Sequence, residues 1–177
     1  RELTEINPQV YLPQVATTLY NLGNLQKDKN EIELAHNSYQ EALEIRRKLA
    51  RKNPKNYMPA VGVTLNSLGD LQRIRNELTQ ADKSFQEALE LYQKLAADNP
   101  KIYMPDVGYT QINMSILYQE SIVDKGKSVE LVDKAISNLL PFYKIPYIQD
   151  YLKAALNVLE KWNIDVEAYM KEKLNPI

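Results

Sequence analysis

The sequence has no cysteine and a single histidine among its 177 residues. Without cysteine the chain has no disulfide framework, thiolate metal site or cysteine nucleophile. The lone histidine, His36, lacks the partner ligands that a zinc site needs, so we expect a solvated surface side chain at this position. The absence of cysteine also fits a reducing compartment, and we expect a cytoplasmic protein.

Long apolar runs and a strong charge of one sign are also missing. No stretch approaches the ~20 apolar residues that cross a bilayer, and the net charge of −1 favours neither nucleic acid nor an anionic membrane. The sequence holds no glycine-rich phosphate loop and no converging nucleophile, base or metal set. We therefore expect no enzymatic activity, no cofactor, no nucleic-acid partner and no membrane partner.

The sequence does contain a long internal repeat. An Asn-Pro dipeptide opens three successive copies at a step of 46 residues. Residues 7–52 align without a gap with residues 53–98 and share 23 identities in 46 positions. The third copy, residues 99–144, matches the second at 9 of its first 12 positions and then diverges. A repeat of this length predicts supersecondary units that bury their apolar faces by stacking on each other.

Each copy has the apolar spacing of two helices. Val15, Leu19 and Leu22 follow the 3.6-residue period in the first helix, and Tyr39 and Leu43 follow it in the second. Pro13 would suit the first turn of the first helix, where a missing N–H costs nothing. No segment alternates with period 2 over a useful length, so the sequence predicts no sheet.

The turns between the paired helices are marked by small or polar residues. Asn30 and Asn76 stand there in the first two copies, since Asn tolerates the left-handed conformation that ends many helices. In the third copy Gly126 is the candidate, which predicts a first helix about one turn longer and a second helix that starts later.

A Leu-Gly pair in the first helix precedes a small–aromatic–small series in the second. The first two copies carry these residues as Leu22-Gly23 with Ala35, Tyr39 and Ala42, and as Leu68-Gly69 with Ala81, Phe85 and Ala88. This set resembles the tetratricopeptide repeat (TPR), and the long period resembles its kinesin-light-chain type. The resemblance implies an all-α fold, a right-handed α-solenoid of stacked antiparallel helical hairpins.

Glycine inside a helix lowers helix stability by ~1 kcal/mol relative to alanine. We therefore expect Gly23 and Gly69 to permit a packing contact that offsets this loss. We expect that each lets two helices cross closely, with an alanine of the second helix, Ala35 or Ala81, on the other side. The aromatic residues would then fill the space between hairpins.

The repeat predicts a division of the whole chain. Residues 1–6 match the end of a second helix and would be the remnant of a preceding hairpin, as in a fragment of a larger protein. The remaining segments would be three repeats and a pair of capping helices or degenerate fourth hairpin, at 7–52, 53–98, 99–144 and 145–177.

The resemblance implies a function in protein–protein interaction, with the first helices lining a concave groove that binds a peptide or protein segment. Asn can pair with both groups of a peptide backbone, and Tyr adds aromatic contact area. The candidate groove residues are Thr17, Tyr20, Asn21, Asn24, Lys27, Val63, Asn66, Ser67, Asp70, Arg73, Tyr109, Ile112, Asn113, Ile116 and Gln119.

Two alternatives stay open at this point. The Asn side chains could satisfy only backbone groups or water. The chain could also be a structural spacer or self-assembly module, which associates through the stacking of hairpin ends.

Overall fold

The computed structural model describes residues 8–174, and this part is all-α, without a strand. The predicted remnant at residues 1–6 lies outside the described residues. The helices are α1 (Pro8–Asp28), α2 (Ile32–Lys52), α3 (Pro54–Ile74), α4 (Leu78–Asp98), α5 (Pro100–Glu120), α6 (Lys125–Leu139), α7 (Pro146–Lys161) and α8 (Val166–Leu174), with a 3-10 turn at Leu140–Phe142.

The chain divides into two compact units, Arg1–Tyr92 and Gln93–Ile177. In the first unit α1 packs on α2, α2 on α3, and α3 on α4. In the second unit α5 packs on α6, and α7 packs on both. Consecutive packing of this kind is typical of helical repeats, so the predicted all-α hairpin fold is confirmed. The division into three repeats and a pair of capping helices or degenerate fourth hairpin stays a prediction.

The first helix of each copy begins earlier than we predicted from the position of Pro13. Helices α1, α3 and α5 start at a proline that directly follows the repeated Asn, where no intrahelical N–H bond is lost. The Asn53 side chain caps α3 by accepting a bond from the Asn56 backbone N–H at 3.3 Å. Pro13 therefore lies inside α1, beyond its first turn.

The turns confirm the prediction for the first two copies and correct it for the third. Asn30 and Asn76 both have φ of 60°. In the third copy the left-handed residue is Val123, with φ of 61°, whereas Gly126 lies inside α6. Helix α5 has 21 residues, as α1 has, so it is not longer. The extra residue lies in the loop, which runs from 121 to 124 instead of spanning three residues.

Within each of the first two hairpins the glycine lies against an aromatic ring. A Cβ placed on Gly23 would meet Tyr39 Cδ1 at 2.6 Å, and one on Gly69 would meet Phe85 Cε1 at 2.7 Å. The close approach is thus as expected, but its partner is the ring and not the neighbouring alanine. Tyr39 also belongs to the core cluster that contains Leu65 of α3, so the ring fills space within and between hairpins.

A second glycine contact was not predicted from the sequence. A Cβ on Gly62 would lie 2.6 Å from Tyr92 Cε2, and a Cβ on Gly108 would lie 2.6 Å from Leu139 Cγ. The Tyr92 hydroxyl donates a hydrogen bond to the Pro59 carbonyl oxygen at 3.1 Å. These contacts draw the opposite ends of the paired helices together.

The described part of the tail contains the two helices α7 and α8. Ile148 and Leu159 of α7 are fully buried in the core of the second unit. Asp165 caps the start of α8, because its carboxylate accepts a hydrogen bond from the Ala168 N–H at 3.0 Å. Trp162 anchors the tail by donating from Nε1 to Ser128 Oγ at 2.9 Å.

We predict that Gly69→Ala lowers the free energy of unfolding by ~1–3 kcal/mol, since the added methyl group collides with the Phe85 ring. Gly126→Ala is the matched control, because the nearest atom to its added Cβ is Asp124 Oδ1 at 3.5 Å. That control should be neutral or gain up to ~1 kcal/mol of helix propensity. Urea unfolding measures both variants, and equal effects on the midpoint would contradict the close-approach account.

Candidate functional site

The predicted groove residues of the first unit lie where α1 meets α3. The Tyr20 hydroxyl lies 3.2 Å from Ser67 Oγ, and Lys27 Nζ lies 3.2 Å from the Asp70 carboxylate. Asp70 also pairs with Arg73 at 2.9 Å. We call this surface the α1–α3 face, formed by Thr17, Tyr20, Asn21, Asn24, Lys27, Val63, Ser67, Asp70 and Arg73.

Several of these polar groups bind each other. Asn24 Oδ1 accepts a hydrogen bond from the Tyr39 hydroxyl at 2.7 Å. Burial raises the pKa of Tyr39, and Tyr20 adds to the effect, so this hydroxyl stays a neutral donor. Thr17 Oγ1 donates to the carbonyl oxygen of Pro13 at 3.0 Å. At Asn24 and Thr17 the side chain therefore has a structural role in this conformation.

Two predicted groove residues are corrected by their burial. Asn66 is 5% exposed and Ile112 is 2% exposed, so neither lines an open surface. Ile112 belongs to the core cluster of the second unit, together with Val132. Helix α3 packs against both α2 and α4, so it buries a wider stripe than α1 does, and Asn66 falls within it.

The remaining candidates differ in exposure. Asn21 is exposed, Val63 is 38% exposed and Tyr109 is 36% exposed. Asn113, Ile116 and Gln119 are half-buried, and Gln119 Nε2 donates to the Val158 carbonyl oxygen at 2.7 Å. Gln119 thus ties α5 to α7, while Asn21, Val63 and Tyr109 are exposed to solvent.

Arg46 is a buried arginine that the sequence reasoning did not single out. Its Nη1 donates to Thr64 Oγ1 at 2.5 Å and to the Ala60 carbonyl oxygen at 3.0 Å. Its guanidinium carbon lies 4.6 Å from the centroid of the Tyr20 ring, a cation–π contact that fixes Tyr20 on the α1–α3 face. Burial lowers the pKa of Arg46. The helical period could have revealed it, since Arg46 follows Tyr39 by seven residues, about two turns, on the apolar side of the second helix.

The second unit carries a cluster of tyrosines where α5 meets α7. The ring centroids of Tyr109 and Tyr151 are 4.8 Å apart, and those of Tyr147 and Tyr151 are 5.6 Å apart in an edge-on arrangement. We call this surface the α5–α7 face, formed by Asp106, Tyr109, Asn113, Tyr147 and Tyr151. Sequence reasoning missed Tyr147 and Tyr151 because they lie in the divergent tail, outside the clear repeats.

Burial raises the pKa of Asp106 to about 6. Burial also raises the pKa of Tyr151 to about 12, with Tyr109 and Asp106 adding to the shift. Asp106 precedes Tyr109 by three residues on α5, which places the two side chains on the same side of the helix. A carboxylate kept partly out of water next to aromatic rings is an unusual surface feature.

Within residues 8–174 no group of His, Asp and Glu side chains is arranged to hold a metal ion. In the same part of the chain, no helix is both long enough and apolar enough to span a bilayer. His36 is half-buried.

Comparison with known proteins agrees with the observed fold. Residues 16–49 match the model of the tetratricopeptide repeat family, which confirms the resemblance inferred from the Leu-Gly and small–aromatic–small pattern. No curated protein matches the chain. The kinesin-light-chain type of repeat stays a prediction.

One solved structure that resembles the chain is the crystal structure of BtubC (BKLC) from P. vanneervenii, with a TM-score of 0.60 and 16% sequence identity. The similarity covers 90% of this chain and 66% of that one, so this chain spans just under two thirds of that protein. At this level of identity the likeness shows a shared fold.

We predict that Asp106→Asn stabilises the protein at neutral pH. The raised pKa means that the folded protein holds the Asp106 proton more tightly than the unfolded chain, whose value is near 3.8. Stability attributable to this group is therefore greatest below about pH 4 and is lost as the pH rises to about 6.

The difference in melting temperature between Asp106→Asn and wild type, measured from about pH 4 to pH 8, should grow in favour of the variant through this window. A variant no more stable than wild type at neutral pH would show that the carboxylate is well solvated.

Proposed function

We propose that this chain, which contains a tetratricopeptide repeat at residues 16–49, is a non-enzymatic cytoplasmic scaffold that binds a polypeptide segment on its first-helix faces. Repeats of this family generally mediate protein–protein interaction. The observation that carries the proposal is the chemistry left exposed on the α1–α3 face. There the neutral side chains of Asn21 and Val63 are open to solvent, while charged side chains already pair with each other.

The exposed amide suits a peptide backbone. Asn21 carries one acceptor and two donors, which match the carbonyl and N–H groups of an extended segment. Val63 adds an apolar contact for a ligand side chain. Recognition of this kind combines hydrogen bonds to the ligand backbone with contacts to a few apolar side chains. Each contact therefore adds only a modest amount to the binding free energy.

Long-range charge should contribute little to binding on this face. The Asp70 carboxylate is held by Lys27 at 3.2 Å and by Arg73 at 2.9 Å, so the two positive charges and the one negative charge leave a net charge of +1. Moderate salt screens charges beyond about 10 Å. Affinity for a neutral peptide should therefore change little with ionic strength, whereas a charge-steered complex would weaken.

We predict that Asn21→Ala weakens a peptide selected on the first unit by ~1 kcal/mol, the net value of about one hydrogen bond. Asn113→Ala should do the same for a peptide that binds on the second unit. The experiment selects binders from a peptide library against the 177-residue chain and measures affinities by calorimetry.

Asn37→Ala is the matched control, since Asn37 is an exposed asparagine on the second helix α2. It should leave affinity unchanged, and all three variants must melt near wild type. If every selected peptide binds the three variants equally, the first-helix faces are not the binding surface.

A second function, self-assembly through hairpin ends, is favoured by a separate observation. Leu22 and Leu25 of α1 are 41% and 51% exposed, whereas their repeat counterparts in α3, Leu68 and Leu71, are 1% and 0% exposed. The counterparts are buried in a core cluster with Tyr39 of the preceding hairpin. In α3 the leucines at these repeat positions are covered by the preceding hairpin. In α1 the same positions are exposed, and a hairpin from a second copy of the chain would bury them.

We predict that the double change Leu22→Gln with Leu25→Gln reduces any concentration-dependent association of the chain, because it removes this apolar surface while keeping strong helix formers. Sedimentation velocity over a range of concentrations measures the association. Ile102→Gln, which alters a 61% exposed residue of α5, is the control and should leave the association as it is. A wild-type chain that stays monomeric at high concentration would exclude this alternative.

A further inference from the structure

The α5–α7 face presents ring surface to solvent. Tyr109 is 36% exposed and Tyr147 is 51% exposed, and both contact the half-buried Tyr151. The rings are tilted or edge-on to each other, with interplanar angles of 33° and 71°, so part of each aromatic face stays available. Aromatic faces carry partial negative charge and attract cations.

A carboxylate stands beside these rings. Asp106 lies one helical turn before Tyr109 on α5, and its charge acts on the Tyr151 hydroxyl. Within residues 8–174 no lysine or arginine forms an ion pair with Asp106. Burial raises the pKa of this carboxyl to about 6, so most of it is ionised at neutral pH in spite of the desolvation that disfavours the charge. The face therefore combines ring surface with a negative charge that has no counter-ion among the described residues.

In the first unit an arginine already lies against a pair of tyrosine rings. There the guanidinium of Arg46 lies over Tyr20, with its carbon 4.6 Å from the ring centroid, and Tyr20 in turn contacts Tyr39 at a centroid distance of 5.7 Å. The chain thus supplies its own arginine to one tyrosine pair. In the described part of the second unit no arginine or lysine lies over Tyr109 or Tyr151.

We propose that Asp106, Tyr109, Tyr147 and Tyr151 form a binding site for an arginine side chain of a partner polypeptide. The planar guanidinium stacks on the tyrosine faces, and its N–H groups donate to the Asp106 carboxylate. This inference rests on the proposed function, because it assigns a specificity to a polypeptide bound on the second unit. It also differs from that proposal, since the recognised group is charged.

The test uses two capped tripeptides, Gly-Arg-Gly and its uncharged analogue Gly-citrulline-Gly, titrated into the 177-residue chain at neutral pH. Backbone amide NMR shifts locate the binding. We expect the arginine peptide to shift the amides around residues 106–113 and 147–151 in a saturable way. The citrulline peptide, of nearly the same shape, should bind at least about fivefold more weakly, because the cation is lost.

Two matched pairs of variants make the test specific. Asp106→Asn should remove the preference for arginine, whereas Asp150→Asn, which changes the net charge equally at an exposed α7 residue, should keep it. Tyr109→Leu should weaken the arginine peptide, whereas Tyr143→Leu, at a 53% exposed tyrosine outside the cluster, should not. Loss of binding in Asp106→Asn is expected alongside its higher melting temperature, so unfolding cannot explain it.

Equal shifts from both tripeptides, shifts that map elsewhere, or an arginine preference that survives Asp106→Asn would overturn the inference. Failure of the proposed function is a separate result. In that case library selection yields no peptide that depends on the first-helix faces, whatever the tripeptides do.

Discussion

The contact between a helix backbone and an aromatic ring sets the geometry of the hairpins in the first unit. At Gly69 three carbons of the Phe85 ring lie within 2.9 Å of where a Cβ would be, so the ring occupies the volume of the missing side chain. Any larger residue must push the helices apart, and protein interiors rarely accommodate such a change without strain. Gly23 and Tyr39 repeat the arrangement one hairpin earlier.

The surfaces proposed for binding follow from this constraint. The Tyr39 ring packs on Gly23, and its hydroxyl extends to Asn24, so the core contact also fixes a polar group of the α1–α3 face. In the second unit Gly108 packs on Leu139, and α7 packs on α5 to join Tyr151 to Tyr109. The core positions both faces, but the chemistry that each face presents differs. The first pairs its carboxylate, Asp70, with Lys27 and Arg73, whereas the carboxylate of the second, Asp106, has no counter-ion among the described residues.

The regular parts of the fold could be predicted because they depend on the conformational preferences of single residues and on local spacing. Asn30 and Asn76 mark turns that require a left-handed residue, and the glycines mark a close approach. Val123 could not be predicted, since a β-branched residue rarely adopts a φ of 61° by local preference. The turn around it is closed by a hydrogen bond from the Asp124 N–H to the Tyr118 carbonyl oxygen at 2.8 Å. The burial of Asn66 depends on helices from two hairpins, and the tyrosine cluster depends on a tail that has lost the repeat pattern.

The glycine–ring contact can be tested in the unmodified protein by its NMR spectrum. A proton held over the face of an aromatic ring is shifted upfield by the ring current, whereas a proton beside an aliphatic side chain is not. The account predicts upfield-shifted Hα resonances for Gly23 and Gly69, relative to Gly108 on Leu139 and to Gly126, which has no ring beside it. Ordinary Hα shifts at Gly23 and Gly69 would show that the rings lie elsewhere and would contradict the packing on which the α1–α3 face depends.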